Sequence, residues 1–188
     1  MMQIKFRKIT HLLIYYLTPV FLLILATQIK SLEFFKLLGQ SALYLLGVIL
    51  FVKPLAAIFK LKIFWKIVSY RRELGVLNFW LFFFHFAGMN YMYQFYKPEY
   101  WGSLGTPIYW GLVAGLGMTI LTLTANNYAI KKLKKNWKKL HYSAYFVMFA
   151  AFVHVALTKQ EVVKYALIFA LFVILKVIEF RKIKKPTN

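Results

Sequence analysis

The sequence predicts an all-α, polytopic membrane protein, a bundle of about six transmembrane helices, and three observations carry that prediction. Hydrophobic residues make up 61% of the chain and charged residues only 16%, against roughly 25% charged in an ordinary soluble domain. Six apolar stretches approach the roughly 20 residues that a helix needs to cross a bilayer core of about 30 Å. The lysines and arginines fall mostly between those stretches.

The first stretch, 9–29, follows a basic start and resembles a signal peptide, but its apolar run is too long and no small-residue cleavage site ends it, so a retained helix is expected. The second, 40–59, is interrupted by Lys53 and Pro54, and the third spans 74–95. The fourth, 107–125, carries Gly111 and Gly115 in a GxxxG spacing, with Gly117 beside it, which suits close approach of two helices. The fifth covers 140–157. The sixth, 162–180, is short, and Lys176 and Glu179 near its end are spaced to pair on one helix face. Aromatics, 20% of the chain, recur in these runs and at their edges, where lipid-facing and interfacial side chains belong.

A net charge of +20 would suit nucleic acid, but basic residues placed between apolar runs follow the positive-inside rule instead. They concentrate in the N-terminus, in the segments around KLKIFWKIVSYRRE and KKLKKNWKK, and in the C-terminus. Both termini are therefore expected in the cytoplasm, with helices one, three and five running outward. The loops are short, no repeat or linker is visible, and residues 1–188 read as one domain. With no cysteine, disulfides, iron–sulfur clusters and thiolate chemistry are excluded.

Four histidines, His11, His85, His141 and His154, all lie in or at the edge of an apolar run. An ionisable group inside a membrane helix is costly and marks function by default. The chain has no aspartate, and Glu33, Glu73, Glu99, Glu161 and Glu179 lie in predicted loops or near helix ends, so a carboxylate-rich metal site or proton pump is unsupported. Imidazole without carboxylate or thiolate suits haem iron. Phe82, Phe83, Phe84 and Phe86 surround His85, Gly88 follows one turn later, and Phe149 and Phe152 flank His154; such side chains could wall a slot for a planar macrocycle.

Helix rise sorts the four. His141 and His154 are separated by about 20 Å along the fifth helix, too far to bind two faces of one haem. Measured from the cytoplasmic side, His85 lies at a depth of about 17 Å, His154 at about 21 Å and His141 near 2 Å. His85 and His154 are the expected ligand pair, nearer the outer face. On a straight helix His141 points roughly 140° away from His154. His11 is at a compatible depth, so a second haem between His11 and His141 stays open, as does an interfacial role for His11.

These features resemble the ferric-reductase-like transmembrane family, and within it the haem-binding subunits of bacterial methionine sulfoxide reductase systems. The resembling segments are THLLIYYLTPVF, LLGQSALYLLGVILFVKPLA, YRRELGVLNFWLFFFHF and KKNWKKLHYSAYFVMFAAFVH, in that order over nearly the whole chain. The resemblance implies a b-type haem protein of the bacterial inner membrane, with one or two haems. It implies ligands at His85, His141 and His154, and a partner that is a periplasmic molybdopterin enzyme reducing methionine sulfoxide in oxidised proteins. It also implies electron input from a cytoplasmic flavin reductase or the quinone pool, with FMN as a further cofactor. Arg71 and Arg72 match the family's paired arginines and would hold a flavin phosphate by charge-assisted bonds; as residues alone they also fit positive-inside topology.

The expected function is a transmembrane electron conduit, an electron-transfer subunit rather than a catalytic one. Two imidazoles on one iron leave no open position for oxygen, and the absence of a glycine-rich dinucleotide fingerprint puts nicotinamide oxidation elsewhere. A ferric-chelate or quinone reductase of the same fold, and a cofactor-free membrane scaffold, remain the alternatives.

Overall fold

A computed structural model describes residues 2–159 and 162–184, and the side chains within them except those of residues 2–6, 100, 103 and 183–184. Glu161 lies outside the described residues. Ten α-helices and no strand are found among the described residues: α1 (Met2–Leu12), α2 (Thr18–Ile29), α3 (Leu32–Phe59), α4 (Lys62–Ser69), α5 (Arg71–Tyr93), α6 (Thr106–Leu123), α7 (Asn127–Leu133), α8 (Lys135–Tyr142), α9 (Ala144–Lys159) and α10 (Val162–Lys184). A π-helical turn, Leu13–Leu17, joins α1 to α2 without a break. The molecule is an all-α, multi-pass membrane protein.

Four helical stretches are long and apolar enough to cross a membrane: Arg7–Ile29, Leu32–Phe59, Thr106–Leu123 and Lys135–Lys159. The remaining two expected spans correspond to α5 and α10, each of 23 residues. Their sequences are more polar, but much of that polarity turns inward: Glu73 and Asn78 of α5 are each 1% exposed and Glu179 of α10 is 3% exposed. Glu179 is neutralised by Lys176 at 2.6 Å and by Lys53 of α3 at 3.3 Å. Lys53 thus has a carboxylate partner besides any reach toward the interface. Large apolar side chains such as Val20, Leu23, Leu116, Leu123, Val163 and Leu167 cover the outside, as a lipid-facing surface requires.

Two boundaries differ from the sequence expectation. Helix α3 starts at Leu32 rather than near residue 40, because Ser31 caps it, its Oγ accepting the Phe34 N–H at 3.1 Å. It also runs through Pro54, which is buried inside the helix; proline removes one backbone donor, but within a membrane bundle packed neighbours sustain the helix around it. The fifth span has a turn at Ser143 that separates α8 from α9, so the straight-helix angle between His141 and His154 does not apply.

Helix α5 packs mainly on α3, and α9 mainly on α6; α10 closes the bundle against α3 and α9, and the first span lies on α5. Leu43, Leu46, Leu50, Met118, Leu121, Val147, Met148 and Phe152 form the main core between α3, α6 and α9. Short helices α4, α7 and α8 lie at the lysine-rich face, and a 3₁₀ turn, Pro98–Ser103, caps the opposite face.

Candidate functional site

His85 reaches from α5 to α3, where its Nδ1 lies 2.8 Å from the Phe35 carbonyl oxygen. His154 reaches from α9 to α6, where its Nδ1 lies 2.7 Å from the Pro107 carbonyl oxygen. In both places the imidazole rests on a glycine four residues after the accepting carbonyl. A Cβ on Gly39 would come within 2.6 Å of the His85 ring, and one on Gly111 within 2.9 Å of the His154 ring. The reason is geometric. Helical carbonyls point toward the C-terminus and Cα–Cβ bonds lean toward the N-terminus, so a side chain at i+4 overhangs the carbonyl of residue i. Glycine at i+4 leaves that carbonyl open to an imidazole from a neighbouring helix.

A carbonyl only accepts, so in both histidines Nδ1 carries the proton and donates, and Nε2 holds the lone pair. Neither Nε2 has a hydrogen bond among the described residues. The two imidazoles are close enough to interact electrostatically. Ring nitrogens fixed by a backbone carbonyl through the far N–H are the usual orientation of metal-ligating histidine. No group of three or more His, Cys, Asp or Glu residues that could hold a metal ion is found among the described residues. Two such imidazoles on helices that do not pack closely on each other would suit the iron of a haem better than a metal held by protein side chains alone.

Phe82, expected as a slot wall, and Phe35 fill space that glycines provide. A Cβ on Gly115 would meet the Phe82 ring at 2.3 Å, and one on Gly88 the Phe35 ring at 2.0 Å. The room at Gly88 is therefore occupied by an α3 side chain. The GxxxG of α6 serves two rings, His154 at Gly111 and Phe82 at Gly115.

At the lysine-rich face a second group of residues meets. The His141 ring stacks on Trp137, with centroids 4.0 Å apart, and its Nε2 lies 3.2 Å from Thr124 Oγ1. The Trp137 indole donates to the Thr124 carbonyl at 2.8 Å. Arg71 is close enough to His141 to interact electrostatically. Arg72 donates to Asn127 Oδ1 at 2.8 Å, and its buried Nε has no partner among the described residues. His141, Arg71 and Arg72 thus share one end of the bundle.

His11 is placed differently. It stacks on Tyr15, with centroids 3.9 Å apart and planes 10° apart, beside the π-helical turn and on a span that packs against α5. Among the described residues no contact joins it to His141.

Several residues of this arrangement escape a reading of the sequence. Gly39 and Gly111 carry a signal in retrospect: each lies at the depth of its histidine, four residues after a residue in its helix's first turn or so. Asn78 and Glu73 carry a weaker one, as polar residues in or next to an apolar run. Glu73 accepts from Arg7 Nε at 3.0 Å through Oε1, while its buried Oε2 has no partner among the described residues.

An all-α membrane bundle with paired intramembrane histidines defines a class, and the match to a known family is direct. The family described as "Ferric reductase like transmembrane component" matches residues 38–152; the chain belongs to that family. Among curated proteins it is similar to the protein-methionine-sulfoxide reductase heme-binding subunit MsrQ of Agrobacterium fabrum, with 31% identity over 69% of this chain and 60% of that protein. It is also similar to the protein of the same name from Rhizobium meliloti, with 28% identity over 81% of this chain and 70% of that protein. The chain thus spans 60% of the Agrobacterium protein's length. No solved structure matches the chain.

Proposed function

We propose that this protein is a haem-binding electron-transfer subunit of a bacterial inner membrane, with a b-type haem held between His85 and His154. The observation that carries the reading is the matched pair of imidazoles, each tied through Nδ1 to a helix carbonyl with Nε2 left over. Bound there, the haem would supply reversible one-electron chemistry. The protein's part would be to orient both rings through their Nδ1 contacts, with Phe82 packed over Gly115 beside the His154 seat, and to present both Nε2 atoms to the iron, which would leave oxygen no ligand to displace freely.

The group at the lysine-rich face, His141 with Arg71 and Arg72, is the entry point in this reading. The two arginines would hold the phosphate of FMN, and His141 would serve as a ligand or relay for a second haem. With that face in the cytoplasm, as the distribution of lysine predicts, electrons enter from a flavin reductase or from quinol. They leave at the opposite face to a periplasmic molybdopterin subunit that reduces methionine sulfoxide in oxidised proteins. The names of the relatives support the methionine sulfoxide reductase part of this reading.

A reduced-minus-oxidised absorption spectrum of the purified protein tests it. Wild type should show low-spin b-type bands, His85→Ala and His154→Ala should each abolish those of the outer site, and His11→Ala should leave most of the signal. A colourless wild-type protein after haem-sufficient expression would overturn the proposal.

A further inference from the structure

A groove of about 400 Å³ runs along α3, bounded by α4, α9 and α10. It follows α3 from Leu43 to Leu55, a length of about 18 Å, close to the roughly 15 Å of half a bilayer core. Phe64 and Ile67 of α4 line its end at the lysine-rich face, and its open side lies at Val48, which is 49% exposed. Gly47 also lines it, and a Cβ there would have nothing within 4 Å. Other helical glycines of the bundle have an occupant: His85 at Gly39, Phe35 at Gly88, His154 at Gly111 and Phe82 at Gly115. Glycine is a poor helix former, yet no protein group among the described residues takes the room that Gly47 makes.

The charge at one end of the groove narrows the choice of occupant. On α4, Lys62 and Lys66 each lie about 160° around the helix from Phe64. The helix thus turns its apolar face to the groove and its ammonium groups to water, as a helix lying in the membrane interface does. Trp65 between them is 49% exposed, at the level where tryptophan is enriched. Lys60 sits at the corner between α3 and α4, and Lys182 of α10 donates to the Ile58 carbonyl at 3.3 Å. None of these four lysines is paired with a carboxylate among the described residues, and Glu179 is already shared by Lys53 and Lys176. An apolar groove one leaflet long therefore ends at uncompensated positive charge.

We propose that the groove holds one acyl chain of an anionic phospholipid from the leaflet on the lysine-rich side, with the lipid phosphate at the level of Lys60, Lys62, Lys66 and Lys182. The chain fills the room at Gly47 and fastens α4 and α10 to α3. A neutral lipid or an uncharged isoprenoid would fit the apolar part but would gain nothing from the lysines, which attract anionic headgroups.

Native mass spectrometry of the full-length protein in detergent, titrated with dioleoyl phosphatidylglycerol or dioleoyl phosphatidylcholine, tests the proposal. Wild type should hold one phosphatidylglycerol about tenfold more tightly than phosphatidylcholine. The double variant Lys62→Gln with Lys66→Gln should lose most of that preference and still bind both lipids. Gly47→Leu, which fills the groove from its floor, and Val48→Phe, which fills it from the exposed rim, should each lose the single tight site. Equal affinity of wild type for the two lipids overturns the proposal, as does tight phosphatidylglycerol binding that survives in Val48→Phe. An isoprenoid in place of phospholipid in the organic extract of the purified protein also overturns it.

Discussion

Gly39 is the seat of the His85 imidazole: a Cβ at position 39 would lie 2.6 Å from Nδ1 and 2.8 Å from Cε1. Alanine there has to displace the ring from the Phe35 carbonyl.

In Gly39→Ala, the gain in helix propensity of about 1 kcal/mol is set against overpacking of about 1–3 kcal/mol. The fold should survive, with His85 turned away from its carbonyl and the low-spin spectrum of the reconstituted protein reduced. Gly111→Ala should do the same to His154 more mildly, since its closest approach is 2.9 Å. Gly47→Ala, in the same helix with nothing within 4 Å, is the control and should stabilise by about 0.5–1 kcal/mol. Circular dichroism melts and absorption spectra of the three variants check this ordering; an unperturbed spectrum in Gly39→Ala would count against the seat.

Arg7 and Glu73 join the first span to α5, with the arginine side chain 53% exposed and the carboxylate 1% exposed. The asymmetry sets the order of two variants. Arg7→Ala leaves a buried carboxylate with no cation on Oε1 and should cost about 2–3 kcal/mol, more than an exposed ion pair would. Glu73→Gln removes the charge and keeps an acceptor, so it should cost less. Thermal unfolding in detergent measures both, and a milder effect of Arg7→Ala than of Glu73→Gln would contradict the pairing.

The spans were legible because apolar run length is a direct consequence of bilayer thickness, and the histidines stood out because an ionisable group in an apolar run is costly. Rotation about each axis was not legible, since helices that are apolar on nearly all faces give no periodic signal for their inner side. That is why Asn78 beside Met118, and Phe35 in the space over Gly88, appear only in three dimensions. The start of α3 was hidden by Glu33 and Lys36, whose charges look like loop although Ser31 caps the helix before them. Lys53 and Pro54 suggested a break for the same reason, a local signal overridden by packing.

Lys134, between α7 and α8, has φ 47° and ψ −122°, a region that glycine enters freely and a residue with a Cβ does not. Relief of that strain makes Lys134→Gly stabilising by about 1 kcal/mol, net of the extra entropy glycine has when unfolded. A rise in melting temperature, with the Thr124–Trp137–His141 cluster intact by tryptophan fluorescence, is the expected result. A fall would mean that the turn relaxes without glycine.

The tautomer of His141 should be opposite to that of the other two site histidines. Thr124 Oγ1 lies 2.8 Å from the Ile120 carbonyl, an acceptor that takes the only hydroxyl proton. Toward His141 the oxygen must therefore accept, so the His141 proton is on Nε2 and the lone pair on Nδ1. His85 and His154 carry theirs on Nδ1. Nitrogen-15 shifts of histidine-labelled apoprotein should resolve two Nδ1–H rings and one Nε2–H ring among these three. Thr124→Val, close in shape and without the acceptor, should move His141 toward a mixture of tautomers and leave the other two unchanged. The consequence for function is specific: an iron ligand at His141 either binds through Nδ1 and keeps Thr124, or binds through Nε2 and must break that contact. Haem loading that shifts the Thr124 hydroxyl together with His141 marks the second case. A wild-type His141 already protonated at Nδ1 would remove the distinction and with it the argument that the two ends of the bundle present their histidines differently.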